Sequence, residues 1–390
     1  MSDKPLRGVR VLDLSRLLPG PFCTLLLADL GAEVVKVEDV QGGDYIRSMG
    51  PTIGGQSAYF LALNAGKKSV ALNLKSPAGL GLFMRMASRA DIVVEGFRPG
   101  TADRLGIGYQ AVKTANPRIV YCSISGYGQD GPERDRAGHD LNYIARAGIL
   151  GLCGRPGGAP AIPPVQIADL SSAMFAALGI TAALRESERT GEGRYLDIGM
   201  MDSALAWMVM PVAEYAAGER GGRGRLPLTG QHPCYNVYRT KDGHDICLAA
   251  LESKFWEAFC RSMGREDLLP LQFSERPEDL AAVEALFAGR TRDEWAQFLK
   301  GTDFCCEVVP NLSEVLISPQ AKHRGLVRDI RSGDQANILL GHPLRECGAN
   351  EPAACPGHGE HTAEALGELG VTDRELAELE AAGIVRGRSR

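Results

Sequence analysis

His139, Asp169 and Glu252 are polar side chains set in apolar stretches, and their types suit proton transfer or covalent chemistry. His139 stands in Gly-His-Asp-Leu-Asn-Tyr just before Ile-Ala-Arg-Ala-Gly-Ile-Leu. Asp169 interrupts Val-Gln-Ile-Ala-Asp-Leu-Ser-Ser-Ala-Met-Phe, and Glu252 separates Cys-Leu-Ala-Ala-Leu from Ser-Lys-Phe-Trp. A charge in a poorly hydrated setting is unfavourable unless it is paired, or else its pKa moves. An imidazole with a reference pKa of roughly 6.5 gives or takes a proton near neutrality. An ionised carboxylate can serve as base or nucleophile. Each residue also has a plain structural reading. Asp169 and Glu252 could be helix-terminal carboxylates, favoured at N-caps and near the positive end of the helix dipole. His139 could be a helix-start residue with a satisfied ring. The three lie 30 and 83 positions apart, so spacing alone does not bring them together.

Other patterns read as structure. Gly126-Tyr-Gly-Gln-Asp-Gly131 spells the glycine fingerprint of a dinucleotide site and follows a strand. That chemistry needs a helix to begin within the motif, whereas Pro132-Glu-Arg-Asp-Arg136 continues it without an apolar stripe, so a loop is expected. No phosphate-binding Gly-x-x-x-x-Gly-Lys-Ser/Thr occurs. Cys355, His358 and His361 have a spacing that a tetrahedral metal could use. They lie in a polar segment without a clear fourth ligand, so a solvated loop and no metal are expected. His244 reads as surface or strand edge, and Cys305-Cys306 as core.

The elements that must position these residues alternate. Strands are expected over 9–14, 33–38, 70–74, 91–97, 118–125 and 194–198, with helices after Pro19 and Pro77 and a long helix through about Ala217. This alternation predicts an α/β fold, a large Rossmann-like domain with a mainly parallel sheet. Beyond the glycine-rich 218–224, Lys241-Asp-Gly243 is a turn between two strands, followed by helices at 254–263, 279–286, 292–299 and 312–318. The expected organisation is a large domain from 1–200 and 326–390, a linker over 201–225, and a smaller α+β domain over 226–325. Thr372-Asp-Arg-Glu375 has capping-box spacing and opens a tail helix.

Composition limits the partners. The 390 residues are 44% hydrophobic and 23% charged, with a net charge of -5, which argues against nucleic-acid binding. The N-terminus carries no apolar signal segment, and no run approaches the roughly 20 apolar residues of a membrane span. Ten scattered cysteines read as free thiols of a cytoplasmic protein.

At a finer level the chain resembles the family III CoA-transferase and 2-methylacyl-CoA racemase superfamily (CaiB/BaiF type). The likeness runs through Asp13-Leu-Ser-Arg-Leu-Leu-Pro-Gly-Pro-Phe-Cys, Ala28-Asp-Leu-Gly-Ala-Glu-Val-Val-Lys-Val-Glu, Gly43-Asp-Tyr-Ile-Arg47 and Leu72-Asn-Leu-Lys75. It continues in Glu95-Gly-Phe-Arg-Pro-Gly100, Ser125-Gly-Tyr-Gly-Gln-Asp-Gly-Pro132 and Gly357-His-Gly-Glu-His361. The resemblance implies an interlocked homodimer whose active site lies between subunits. CoA would be a substrate or carrier, with no tightly bound cofactor. Leu72, Asn73, Leu74 and Lys75, then Gly96, Phe97 and Arg104, then Gly138, Asp140, Leu141, Asn142 and Tyr143 would line the CoA site. Ala65 occupies a place where relatives often carry Arg.

The resemblance also implies two chemistries that share Asp169. In a transferase Asp169 attacks the thioester, forming an acyl-aspartyl anhydride and then an aspartyl-CoA thioester that passes CoA to an acid. In a racemase His139 and Asp169 flank the α-carbon as two bases, and Glu252 pairs with His139. Gly138-His-Asp-Leu-Asn-Tyr143 and Ala250-Leu-Glu-Ser-Lys-Phe-Trp256 stand closer to the racemase branch. That branch is the first expectation. The transferase is the alternative, and a non-catalytic CoA-binding scaffold the third reading.

Overall fold

A computed structural model describes residues 4–218, 220–332, 335–344 and 354–387. The opening three residues and the stretch 345–353 of the expected large domain lie outside the described residues. The chain divides into two compact units. The first comprises Met1–Ala147, Val165–Trp207 and Pro319–Arg390, the second Gly148–Pro164 and Met208–Ser318. The expected boundaries differ at three places: 148–164 groups with the second unit, 319–325 with the first, and the expected linker 201–225 divides between the units after Trp207.

The first unit is built on a seven-stranded sheet. Its spatial order is Val385–Arg386, Lys68–Leu72, Glu33–Glu38, Arg10–Asp13, Ile92–Glu95, Val120–Ser125 and Tyr195–Gly199. Every pairing is parallel except that of Val385–Arg386 with Lys68–Leu72, which is antiparallel. Alternate residues feed two cores. Leu12, Val35, Val93 and Tyr121 enter one, together with Phe83 from the helix Pro77–Ala87. Val11, Val34, Ile92, Val94 and Cys122 enter the other, beneath Ala173, Ala176 and Ile180 of the helix Ile167–Thr190. Burial on both faces explains why these strands read as near-continuous apolar runs.

Buried charge fixes the loop that follows the first strand. The Asp13 carboxylate accepts hydrogen bonds from Ser15 N at 2.9 Å, Thr24 Oγ1 at 2.6 Å and Lys67 Nζ at 3.2 Å, with both ion-pair side chains fully buried. Burial alone would raise this carboxyl's pKa, but the Lys36 and Lys67 ammoniums and the Ser15 and Thr24 hydroxyls hold it well below the usual range. Lys36 also pairs with Asp44 at 3.0 Å, and Glu38 binds Arg47 in a two-pronged contact of 2.7 and 2.8 Å.

The second unit has the expected hairpin, Tyr235–Arg239 against Asp245–Ala249, extended by Cys306–Val308. Its core stacks Tyr238 on Phe287 at 4.8 Å, with Trp295 5.0 Å from Phe287. Helices Ser253–Ser262, Pro277–Phe287, Arg292–Phe298 and Leu312–Ile317 match the sequence-based ones closely.

Several expectations fail for identifiable reasons. The long helix through Ala217 is broken at Trp207 and Met208 into Met200–Ala206 and Val209–Ala216. Pro211 lacks the N–H that Trp207 would accept four residues back, and its ring crowds that carbonyl. The helix Ile167–Thr190 is long and apolar enough to cross a bilayer by length and composition, contrary to the expected lack of such a run. Ala168, Ser171, Ala173, Ala176, Ile180 and Ala183 on this helix are buried.

The Cys355–His361 segment is not a solvated loop. Gly359 N donates to Ser69 Oγ at 2.9 Å, His361 N to Ser69 O at 2.9 Å, and Ser69 N to His361 Nδ1 at 3.2 Å. It clasps the strand Lys68–Leu72, and no metal-holding group of three such residues occurs among the described residues. Cys306 is buried, but Cys305 is exposed with φ 57°, so only one of the pair is core.

Candidate active site

Asp169 occupies the third position of the helix Ile167–Thr190, and the residue before that helix, Gln166, makes no side-chain cap. Capping comes from elsewhere. Asp140 Oδ1 accepts from Ala168 N at 2.6 Å and from Asp169 N at 3.2 Å. Asp140 is the first residue of the helix Asp140–Arg146, for which His139 is the N-cap. One carboxylate therefore ties the turn carrying His139 to the turn carrying Asp169. The His139 backbone N–H donates to Asn142 Oδ1 at 3.1 Å, fixing that turn.

Burial pushes the Asp169 carboxyl up to about 7, and the Asp140 charge adds to the rise. Ser171 and Ser172 bond back to the carbonyls of Ala168 and Asp169. Tyr143, on the His139 helix, lies within the field of Asp169. Its hydroxyl donates to Gly138 O at 2.6 Å and its ring meets Tyr127 edge-on at 5.1 Å. Burial, then the Asp169 charge, pushes this phenol up to about 12. A Cβ on Gly126 or Gly138 would come within 2.7 Å of the Tyr143 ring. Gly126, the first glycine of the dinucleotide-like motif, thus makes room for a tyrosine, and no helix starts between Gly126 and Asp140.

The trio differs in exposure. Asp169 is half-buried, whereas His139 and Glu252 are exposed, so the apolar sequence around the latter two does not enclose them. Glu252 is the N-cap residue of Ser253–Ser262 in the second unit, without a side-chain cap bond.

Of the segments expected to line a CoA site, Leu72–Lys75 and Gly96-Phe97 lie at or just past the C-terminal ends of parallel strands, where open α/β sheets bind ligands. Arg104, in contrast, ends the short helix Thr101–Arg104, and Gly138–Tyr143 lead into the helix Asp140–Arg146. Leu72 is buried, Asn73 and Leu74 are half-buried and Lys75 is exposed; Asn73 Oδ1 accepts from Lys75 N at 3.1 Å. Gly96 is exposed and Phe97 half-buried, with the Arg16 guanidinium 5.5 Å from the Phe97 ring. Exposed Arg104 and half-buried Arg134 each bring a guanidinium nitrogen to 3.5 Å from where a Gly100 Cβ would stand. Leu141 and Asn142 are exposed on the His139 helix.

Two acids escaped sequence reasoning. The resemblance makes Asp140 a CoA contact, and its cap across 28 positions has no local sequence signal. Glu95 is buried, accepts from Phe97 N at 2.7 Å and lines a cavity of about 200 Å³ with Arg98, Tyr109 and Tyr195. Burial pushes Glu95 up to about 7, against the opposing hydrogen bonds from Ser123 and Phe97. Its position at the end of a strand, directly before Gly-Phe-Arg-Pro-Gly, was the available signal.

Residues 6–362 match the family model described as CoA-transferase family III. The chain belongs to CoA-transferase family III. This family III chain is 33% identical to human succinyl-CoA:glutarate CoA-transferase over 98% of its length and 90% of that protein's. It is 35% identical to human alpha-methylacyl-CoA racemase over 97% of each chain. The crystal structure of a CaiB/BaiF family protein from Brucella suis superposes with a TM-score of 0.79 at 28% identity, covering 94% of this chain and 100% of that one. A Mycobacterium tuberculosis hypothetical protein gives 0.80 at 31%, covering 93% and 99%. As a family III member this is an enzyme of acyl-CoA substrates, and its racemase and transferase relatives are about equally distant.

Proposed function

We propose that this enzyme is a 2-methylacyl-CoA racemase-type epimerase in which His139 and Asp169 exchange the α-proton of a CoA thioester. The observation that carries the reading is the Asp169 carboxyl, poised near 7 and tied through Asp140 to the turn of His139. A group titrating near the working pH is suited to both taking and returning a proton. A carboxyl whose burial favours the neutral form is less suited to nucleophilic attack, which needs the anion.

In the proposed cycle one of the two residues removes the α-proton and the electron pair passes into the thioester carbonyl as an enolate. The other residue then delivers a proton to the opposite face. Glu252 enters as the residue that the resemblance pairs with His139, and Glu252→Gln should lower kcat more than it raises KM. Lys75, Arg104 and the Gly96-Phe97 turn would hold the CoA moiety, with cationic groups matching its phosphates.

The names of several relatives favour a second reading, transfer of CoA to a free carboxylic acid with Asp169 as nucleophile. A dimer is part of the proposal in either case. Met174, Phe175 and Leu178 on the Asp169 helix are 54%, 37% and 65% exposed, and apolar surface of this kind calls for a partner. The test is incubation with one enantiomer of a 2-methylacyl-CoA in deuterated water, with and without added carboxylic acids. Loss of stereochemistry with α-deuteration supports the epimerase. CoA appearing on the added acid without α-exchange refutes it.

A further inference from the structure

Among the acids that the proposed chemistry does not use, Asp140 is hydrogen-bonded directly to the backbone of the Asp169 turn. A helix N-cap side chain normally accepts from the second or third backbone N–H of its own helix. The helix Ile167–Thr190 gets neither from Gln166, and Asp140 Oδ1 takes both, at Ala168 N and Asp169 N. Asp140 is simultaneously the first residue after the His139 N-cap of its own helix. The N-terminus of the Asp169 helix, which carries partial positive charge, therefore meets a carboxylate that comes from a different helix. We propose that Asp140 is a positioning residue: it supplies the N-cap that the Asp169 helix lacks, and thereby sets both the place and the protonation of Asp169.

The inference rests on the reading of Asp169 as the reacting carboxyl, and it gives Asp140 a role other than contacting CoA. The charge on Asp140 opposes ionisation of Asp169, in the same direction as burial. Tyr143, on the same helix as Asp140, is the other ionisable group that feels the Asp169 charge, and Arg98 acts on Tyr143 in turn. The ionisable groups on the other elements packed against the Asp169 helix interact elsewhere. Cys23 faces Asp13 and Lys67, Asp29 faces Arg328 and Lys4, and Cys122 faces Cys23, Glu95 and Asp197. Tyr195 faces Ser123, Asp197, Glu95 and Cys122, and Asp197 and Asp202 face Asp130.

The two functions of Asp140 separate in two variants. Asp140→Asn keeps an oxygen acceptor for both N–H groups and removes the charge. Asp140→Ala removes both. The direct readout is the titration of Asp169, followed by carbon-13 NMR of carboxyl-labelled aspartate and assigned by the signal missing in Asp169→Asn. In Asp140→Asn the Asp169 midpoint should move to lower pH by about one unit. The acidic limb of kcat, for whichever CoA reaction the enzyme performs, should move with it. Asp140→Ala should lose kcat by tenfold or more across the pH range, with Asp140→Asn recovering most of that loss at its own optimum.

An unmoved Asp169 midpoint in Asp140→Asn overturns the proposal. So does equal loss of kcat in both variants with unchanged limbs, which is the signature of a purely structural cap. If Asp169 titrates as described but Asp169→Asn leaves turnover intact, the reading of Asp169 is what fails, and the NMR result still decides Asp140.

Discussion

Asp169→Asn should stabilise the protein at alkaline pH while abolishing turnover. In the folded enzyme this carboxyl is raised from 3.8 to about 7, chiefly by burial and secondly by Asp140. The unfolded chain releases the proton near 3.8, so between these values the folded state binds more protons than the unfolded one. Stability contributed by the bound proton is complete below about pH 4 and is lost as the pH rises through about 7. At ~1.36 kcal/mol for each tenfold change in proton affinity, the full effect is on the order of 4 kcal/mol at pH 8. At pH 5 only about 2 kcal/mol of it has developed. The asparagine removes the ionisation, and its own packing and hydrogen-bond effects are independent of pH. The assay is urea unfolding of both proteins at pH 5 and pH 8. The variant's stability relative to wild type should improve by about 2 kcal/mol or more between the two. A difference that stays constant within about 0.5 kcal/mol would refute the idea that Asp169 is held partly neutral by its surroundings.

Other perturbations test the scaffold around this carboxyl. Lys67→Met leaves the buried Asp13 carboxylate without its direct partner and should cost about 3–5 kcal/mol in unfolding experiments. Phe287→Ala opens the aromatic stack of the second unit between Tyr238 and Trp295, for an expected loss of about 3–5 kcal/mol in that unit's unfolding transition. Gly126→Ala would place a methyl 2.7 Å from the Tyr143 ring; thermal unfolding should show about 1–3 kcal/mol of destabilisation, and turnover should fall as Tyr143 shifts beside Asp169.

Much of the fold was legible because parallel strands buried on both faces leave β-branched stretches such as Val34-Val35 and Ile92-Val93-Val94. Capping chemistry was readable too: Thr372 accepts from Glu375 N as its spacing implied. Long-range pairing was not. Nothing local announces that Asp140 caps a helix 28 residues on, that Ser69 clasps the segment around His361, or that Lys67 neutralises Asp13. The candidate trio was found by residue type, yet only Asp169 has the partly buried environment that its apolar neighbours suggested. His139 and Glu252 sit at helix starts, where an apolar sequence after the residue describes the helix's buried stripe and not the cap's own surroundings.

The central claim is that Asp169 moves protons and does not form a bond to carbon. It is tested most directly by mass spectrometry of the Asp169 peptide after turnover of a 2-methylacyl-CoA in the presence of a carboxylic acid and hydroxylamine. Hydroxylamine converts an aspartyl anhydride or aspartyl-CoA thioester into a stable hydroxamate. The account predicts an unmodified Asp169 in enzyme that has racemised its substrate. A CoA-dependent hydroxamate at Asp169 would contradict it and establish the covalent transferase route.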